Sequence, residues 1–255
     1  MDIMEKAILL FLVFSRISGI FLLTPLFGNK TIPIPLKIGF SGFLTLVAFP
    51  IVIFSEQINF ISIYQLLYFM IFEFFIGLII GFISLLVLNS IYLAGVMVDR
   101  NIGFSMVSVI SPQDESQIPI TANFYYIIAT LVFLAADLHH MVIKAILYSF
   151  KVIPIGYQNI NLLFVDKVTE ILRVSFIIGF KMSAPIIITI FVANVLLGIL
   201  SRAMPQMNVF MVGMPLKVFI GLVTLFIILP LYLGVFNNIF SIMFDYIKEF
   251  FDKAI

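Results

Sequence analysis

Residues 66–98 read LLYFMIFEFFIGLIIGFISLLVLNSIYLAGVMV, and Glu73 is the only charge among them. Apolar and polar positions do not alternate here, as they must over about ten residues in a strand of a membrane barrel. A helix is what remains. At about 1.5 Å per residue it makes a rod of about 50 Å, longer than a hydrocarbon core of about 30 Å. Such a helix must tilt, bend or leave the bilayer.

Outward from this stretch, further apolar runs lie at 7–27, 36–54, 120–136 with a continuation past a polar break to 150, 171–200 and 216–244. Together they predict an all-α chain of the membrane class with about six apolar helical segments. Composition agrees: 63% of the residues are hydrophobic and 11% charged, against about 45–50% and 25% in soluble domains. A formal net charge of +1 leaves no basic stripe to neutralise phosphates, so nucleic acid is not a partner. The absence of Cys removes disulfides, thiolate metal sites and iron–sulfur ligation together. Asp2, Glu5 and Lys6 precede a run interrupted by Arg16, a pattern read as an uncleaved first helix. The chain holds 30 Phe and no Trp. Interfacial belts recruit Trp and Tyr, so much of the Phe is expected to face protein.

Five linkers separate the runs. Gly28, Pro33 and Pro35 mark the first, 55–62 the second, 101–119 the third, 154–170 the fourth and 202–217 the last. Their Lys and Arg are divided too evenly for the positive-inside rule to orient the chain, and no repeat of solenoid length is visible.

A charge at mid-bilayer costs at least about 2.5–3.5 kcal/mol, so Arg16, Glu73, Asp99, Arg100, Asp137, Lys144, Arg173 and Lys181 each need a reason. Glu73, set among Phe72, Phe74 and Phe75, reads either as a proton-relay carboxylate or as half of an ion pair with Arg16 or with a neighbouring subunit. A transporter shows several such groups on adjacent helices, and the pair is preferred. Asp137, His139 and His140 are the only cluster of metal-ligand types. Adjacent His side chains diverge by about 100° on a helix, whereas paired ligands there sit at i and i+3 or i+4, so a helix-joining turn is expected and no metal. No nucleophile–base pair, phosphate cradle or cofactor motif is present, which argues against an enzyme.

Gly77 and Gly81 form a GxxxG that admits a second backbone. Residues 103–112, GFSMVSVISP, combine a Gly hinge, deformable apolar side chains and a helix-blocking Pro. On the residues alone they are a helix end leading to the acidic loop at Asp114 and Glu115; a segment able to fold into a hole and dewet it is the sharper alternative. Residues 202–217, RAMPQMNVFMVGMPLK, make a connector of about fifteen residues with four Met and two Pro. It is too apolar for a solvated loop and should pack against something.

This connector closely resembles the signature of the flagellar FliR family, the R component of the type III export gate, and other landmarks follow in order along nearly the whole chain. They include 25–28 (PLFG) with Pro33, 94–99 leading to 103–105 (GFS) and 111–112, and 131–134 (LVFL) before His139. Then come Ser149 and Phe150 with 154–156 (PIG), Ala184 with Pro185, and Leu197 with Gly198. The injectisome T components resemble the connector less, which favours the flagellar branch.

The resemblance implies a structural subunit of the bacterial inner membrane and flagellar basal body. It would assemble with FliP and FliQ, contact FlhB, and stack with them as helical hairpins into a channel for unfolded flagellar proteins. Residues 1–170 resemble a FliP-like region and 171–255 a fused FliQ-like hairpin. The family's plug maps onto Gly103, Phe104, Ser105, Met106, Val107 and Val109, which reverses the plainer reading of that loop. Gate-partner contact falls to Arg202, Pro205, Gln206, Met207, Asn208, Phe210, Met211, Pro215 and Lys217. Arg16, Glu73, Arg173 and Lys181 become buried or inter-subunit charges, and membrane lipid is a secondary neighbour. The competing reading is a proton-coupled secondary transporter that uses Glu73 and Asp137.

Overall fold

The computed structural model describes residues 3–24, 28, 32–53, 62–104, 119–156, 163–206 and 208–253, with the backbone alone at 3, 53, 163–165, 209, 210 and 253. Among these the chain is helical, without strands: α1 (Ile3–Leu23), α2 (Ile34–Ile53), α3 (Ile63–Ile102), α4 (Ile120–Ala135), α5 (Leu138–Val152), α6 (Leu163–Ala203) and α7 (Val209–Lys253). Helices α1, α2, α3, α6 and α7 are long and apolar enough to cross a membrane, and α4 and α5 are a pair bent by 74° at their break.

Apolar spacing explains which faces are buried. On α1, Leu9, Leu12, Val13, Ile17 and Ile20 are buried, the i, i+3, i+4 rhythm of one helical stripe. Arg16 lies on that stripe. On α3, Phe69, Ile76, Ile80, Ile83, Val87, Ile91, Ala94, Val98 and Ile102 are buried at steps of three and four, and Glu73 falls in the same seam.

Two lengths differ from the sequence expectation. Helix α6 begins at Leu163, eight residues before the apolar run, because apolarity excludes a charged turn that is helical all the same: Lys167 Nζ and Glu170 Oε2 pair at 2.7 Å across i, i+3. Lys167 also reaches Glu249 Oε1 at 2.6 Å, which ties the first turns of α6 to the charged end of α7. The expected fifteen-residue connector is the larger correction. Helix α7 resumes at Val209 and contains Pro215, so only residues 204–208 link the helices. Asn208 caps the start of α7 through its Oδ1, which accepts the Met211 N–H at 3.3 Å.

Helices α6 and α7 form an antiparallel hairpin. The pair Lys167–Glu249 and the hydrogen bond from the Tyr232 hydroxyl to the Met182 carbonyl are centred at residues 208 and 207, where the turn lies.

Packing divides the chain into two compact units: residues 1–88, 137–172 and 240–255, and residues 89–136 with 173–239. The core of the first holds Leu12, Val13, Ile17, Ile80, Ile83, Phe150 and Phe251; that of the second holds Val98, Tyr125, Phe133, Ile186, Ile190 and Phe236. Many large apolar side chains remain outside both. Phe176, Phe180, Phe191, Phe219 and Phe226 are all exposed, as suits a surface turned to lipid or other subunits.

Candidate functional site

Close backbone approach builds the polar centre of the first unit. A Cβ on Gly77 would collide with the Arg16 carbonyl oxygen and one on Gly19 with that of Phe74, while one on Gly81 would lie 2.9 Å from the Ile20 oxygen. The GxxxG therefore seats α3 against α1, with Gly19 as its counterpart. Ser15 Oγ crosses the same seam to donate to the Met70 carbonyl at 2.6 Å.

This contact brings together two side chains that are each 0% exposed, Arg16 and Glu73, with Nε and Oε2 2.5 Å apart. Arg16 Nη1 donates to the Ser149 and Ile153 carbonyls at 3.0 and 2.9 Å. The guanidinium carbon stands 4.4 Å from the Phe150 ring centroid. The cation thus sits at the C-terminus of α5, where unpaired carbonyls and the helix dipole favour positive charge. Glu73 uses its other oxygen to accept the Gly156 N–H at 3.2 Å. One ion pair fastens α1, α3, the end of α5 and the turn beyond it. Of the two partners open to Glu73 in the sequence, the structure selects Arg16. Arg173 and Lys181 are exposed on α6 instead.

In the second unit the polar centre is Asp99, 4% exposed. Its carboxylate accepts the Thr121 N–H at 3.0 and 3.1 Å and the Ala122 N–H at 3.3 Å. Asp99 therefore caps α4 from another helix, because Pro119, at the cap position, makes no side-chain bond there. Directly above, a Cβ on Gly95 would collide with Ala122, so α3 and α4 touch through backbone. Gly103 closes α3 with φ of 104°, a left-handed conformation that suits glycine. The stem of the loop between α3 and α4 is thus held on both sides.

Of the proposed seal, Gly103 and Phe104 are half-buried; Ser105, Met106, Val107 and Val109 lie outside the described residues. At the tip of the α6–α7 hairpin, Arg202, Pro205, Gln206, Asn208 and Pro215 are exposed, and Lys217 is half-exposed. Met207 and the Phe210 side chain lie outside the described residues. Met211 is 75% exposed and lines an apolar groove of about 560 Å³ with Met214, Pro215, Val218, Phe219 and Leu222.

Asp137 forms the expected turn between α4 and α5. It takes φ of 54° and makes no side-chain cap bond; the local bond is backbone, from the His140 N–H to the Asp137 carbonyl at 3.1 Å. The His139 and His140 rings lie 4.2 Å apart, and the ligand atoms of Asp137, His139 and His140 fall within 4.8 Å of one another. The turn gathers what helical spacing would have separated.

Asp99 as a remote cap is the role that sequence reasoning missed. The available signal was a lone carboxylate in the last turn of an apolar helix, with a following helix whose cap position is proline.

These arrangements define a polytopic helical membrane protein whose buried polar groups hold helices and a loop stem in place. Residues 7–243 match the family described as bacterial export proteins, family 1, and the chain belongs to it, among the FliR proteins. It is 34% identical to the flagellar biosynthetic protein FliR of Bacillus subtilis over 241 residues, 93% of this chain and 92% of that protein. Identity to the protein of the same name in Aquifex aeolicus is 31% over 248 residues, covering 96% and 93%. For Escherichia coli it is 24% over 244 residues, covering 92% and 90%.

Proposed function

We propose that this chain is a structural, non-catalytic subunit of the flagellar type III export gate in the bacterial inner membrane, at the flagellar basal body. With FliP and FliQ it forms the channel crossed by unfolded flagellar proteins, and it contacts FlhB. The observation that carries this reading is the similarity to flagellar FliR proteins over more than nine-tenths of both chains. Residues 1–170 serve as the FliP-like part and 171–255 as the FliQ-like hairpin, a division supported by the antiparallel pairing of α6 and α7.

The seal is assigned to 103–109, and its support is the pinned stem: Asp99 and Gly95 hold the start of α4 while Gly103 turns the chain out of α3. A rigid stem lets a short apolar loop close a narrow passage, which dewets and stops ions. Partner contact is assigned to the tip, where exposed Met side chains suit a surface that repacks. Arg173 and Lys181, both exposed, are assigned to charges on neighbouring subunits. A proton relay gains nothing from the geometry, since Glu73 is held by Arg16 and Gly156 and Asp137 is exposed at a turn.

Co-purification with FliP, FliQ and FlhB in mild detergent tests the assignment. A stable complex is expected; a lone chain that moves solutes unaided refutes it. Deleting 104–109 should leave that complex intact while cells leak small ions, and unchanged permeability with intact assembly removes the seal.

A further inference from the structure

Helix α5 differs from every other helix of the chain in being strongly two-faced. Val142, Ile146, Ser149 and Phe150 are buried, while Lys144 and Lys151 are exposed on the other side. A two-faced helix with lysines on its polar side is the pattern of a segment lying at a membrane–water interface.

Beside it runs a groove of about 340 Å³ shared with the last turns of α7, both elements lying in the first compact unit. Met141, Ala145, Phe244 and Ile247 give it an apolar floor, and Lys144 and Lys248 stand on its walls. Tyr148 closes one side by donating to Asp252 Oδ1 at 2.8 Å and stacking edge-on against Phe251 at 5.9 Å. Among the described residues no carboxylate lines the groove. Neighbouring acids are engaged or turned elsewhere: Asp252 accepts from Tyr148, Glu249 pairs with Lys167, and Asp245 is exposed outside the groove. Neither Lys144 nor Lys248 has an ion-pair partner among the described residues. Two ammonium groups without a salt-bridge partner beside an apolar trough fit a ligand that is anionic at one end and greasy at the other.

We propose that this groove binds an anionic phospholipid, with the phosphate between Lys144 and Lys248 and one acyl chain along Met141, Ala145, Phe244 and Ile247. Free phosphate would satisfy the ammonium groups and leave the floor in water; a neutral lipid would cover the floor and leave both charges bare. A basic pocket between membrane helices that captures acidic head groups is a recurrent form of lipid recognition. The site stands independently of the export-gate reading, since it requires only that the chain reside in a membrane.

The test uses the full chain with whatever partners it retains, examined by native mass spectrometry after incubation with phosphatidylglycerol or phosphatidylcholine. Phosphatidylglycerol should be retained in preference. The preference should fall about five-fold in K144Q or K248Q and about thirty-fold in K144Q/K248Q. K144R/K248R should keep it, and Ala145→Phe, which fills the trough but spares both charges, should release the lipid. Equal retention of the two lipids, an undiminished preference in K144Q/K248Q, or its loss in K144R/K248R overturns the proposal. Displacement by inorganic phosphate alone reassigns the site to a free anion and also overturns it. So does a photo-cross-linker at position 145 that captures a protein in place of lipid.

Discussion

Replacing Glu73 by Gln keeps the volume and removes the charge, and it isolates the ion pair at the centre of the first unit. Arg16 would keep the Ser149 and Ile153 carbonyls but lose its only anion in a place with no exposure. Breaking one side of a buried pair leaves an uncompensated charge and costs about 3–5 kcal/mol. For a chain of this size that corresponds to a fall of about 6–20 °C in thermal unfolding in detergent. Arg16→Met should cost a similar amount, because Glu73 is then the stranded charge. The two losses should not add. In R16M/E73Q both charges are gone, and what remains is the cost of the Ile153 carbonyl and of the new amide left without partners, about 1–3 kcal/mol each. The double variant should therefore be no worse than either single one, with a coupling energy of at least about 3 kcal/mol in the cycle. Thermal unfolding of the four proteins, read alongside recovery of the partner complex, measures this. Additive losses would refute the reasoning. A Glu73→Gln protein of native stability whose transport lost its pH dependence would restore the proton relay.

Gly77→Val drives a side chain onto the Arg16 carbonyl oxygen. Overpacking should cost about 1–3 kcal/mol and lower thermal stability accordingly; a neutral result would mean that α1 and α3 need not touch. Asp99→Ala strips the acceptor from the Thr121 and Ala122 N–H groups, at about 1–3 kcal/mol for each one left unsatisfied. Hydrogen exchange at those two amides should accelerate while amides in the first unit stay protected, and unchanged protection would deny Asp99 its capping role.

The helices were legible because their signal is local. The steps of three and four on α1 and α3 can be read from neighbours in sequence, and extending them through position 16 and position 73 would have placed both charges in the core. Length was less legible. Apolar runs stop where charges begin, yet Lys167 and Glu170 continue α6 as an ion pair on its surface. The Met-rich connector was read as lying between apolar runs that end at 200 and begin at 216, whereas Asn208 caps a helix that starts at 209. Asp99 escaped notice for a different reason: a cap is recognised from residues beside the helix it caps, and this one lies 22 positions upstream of Thr121.

By itself the sequence decided that this is an all-helical membrane chain of the FliR family, because hydrophobic length, periodicity and ordered motifs are properties of residues near one another along the chain. Only the tertiary structure decided which charges meet. Arg16 and Glu73 are 57 positions apart, and the sequence left both Arg16 and a neighbouring subunit open as partners for the carboxylate. The choice rests on glycines that let α1 and α3 approach to backbone contact, since a buried charge is tolerable only where its partner comes within hydrogen-bonding distance.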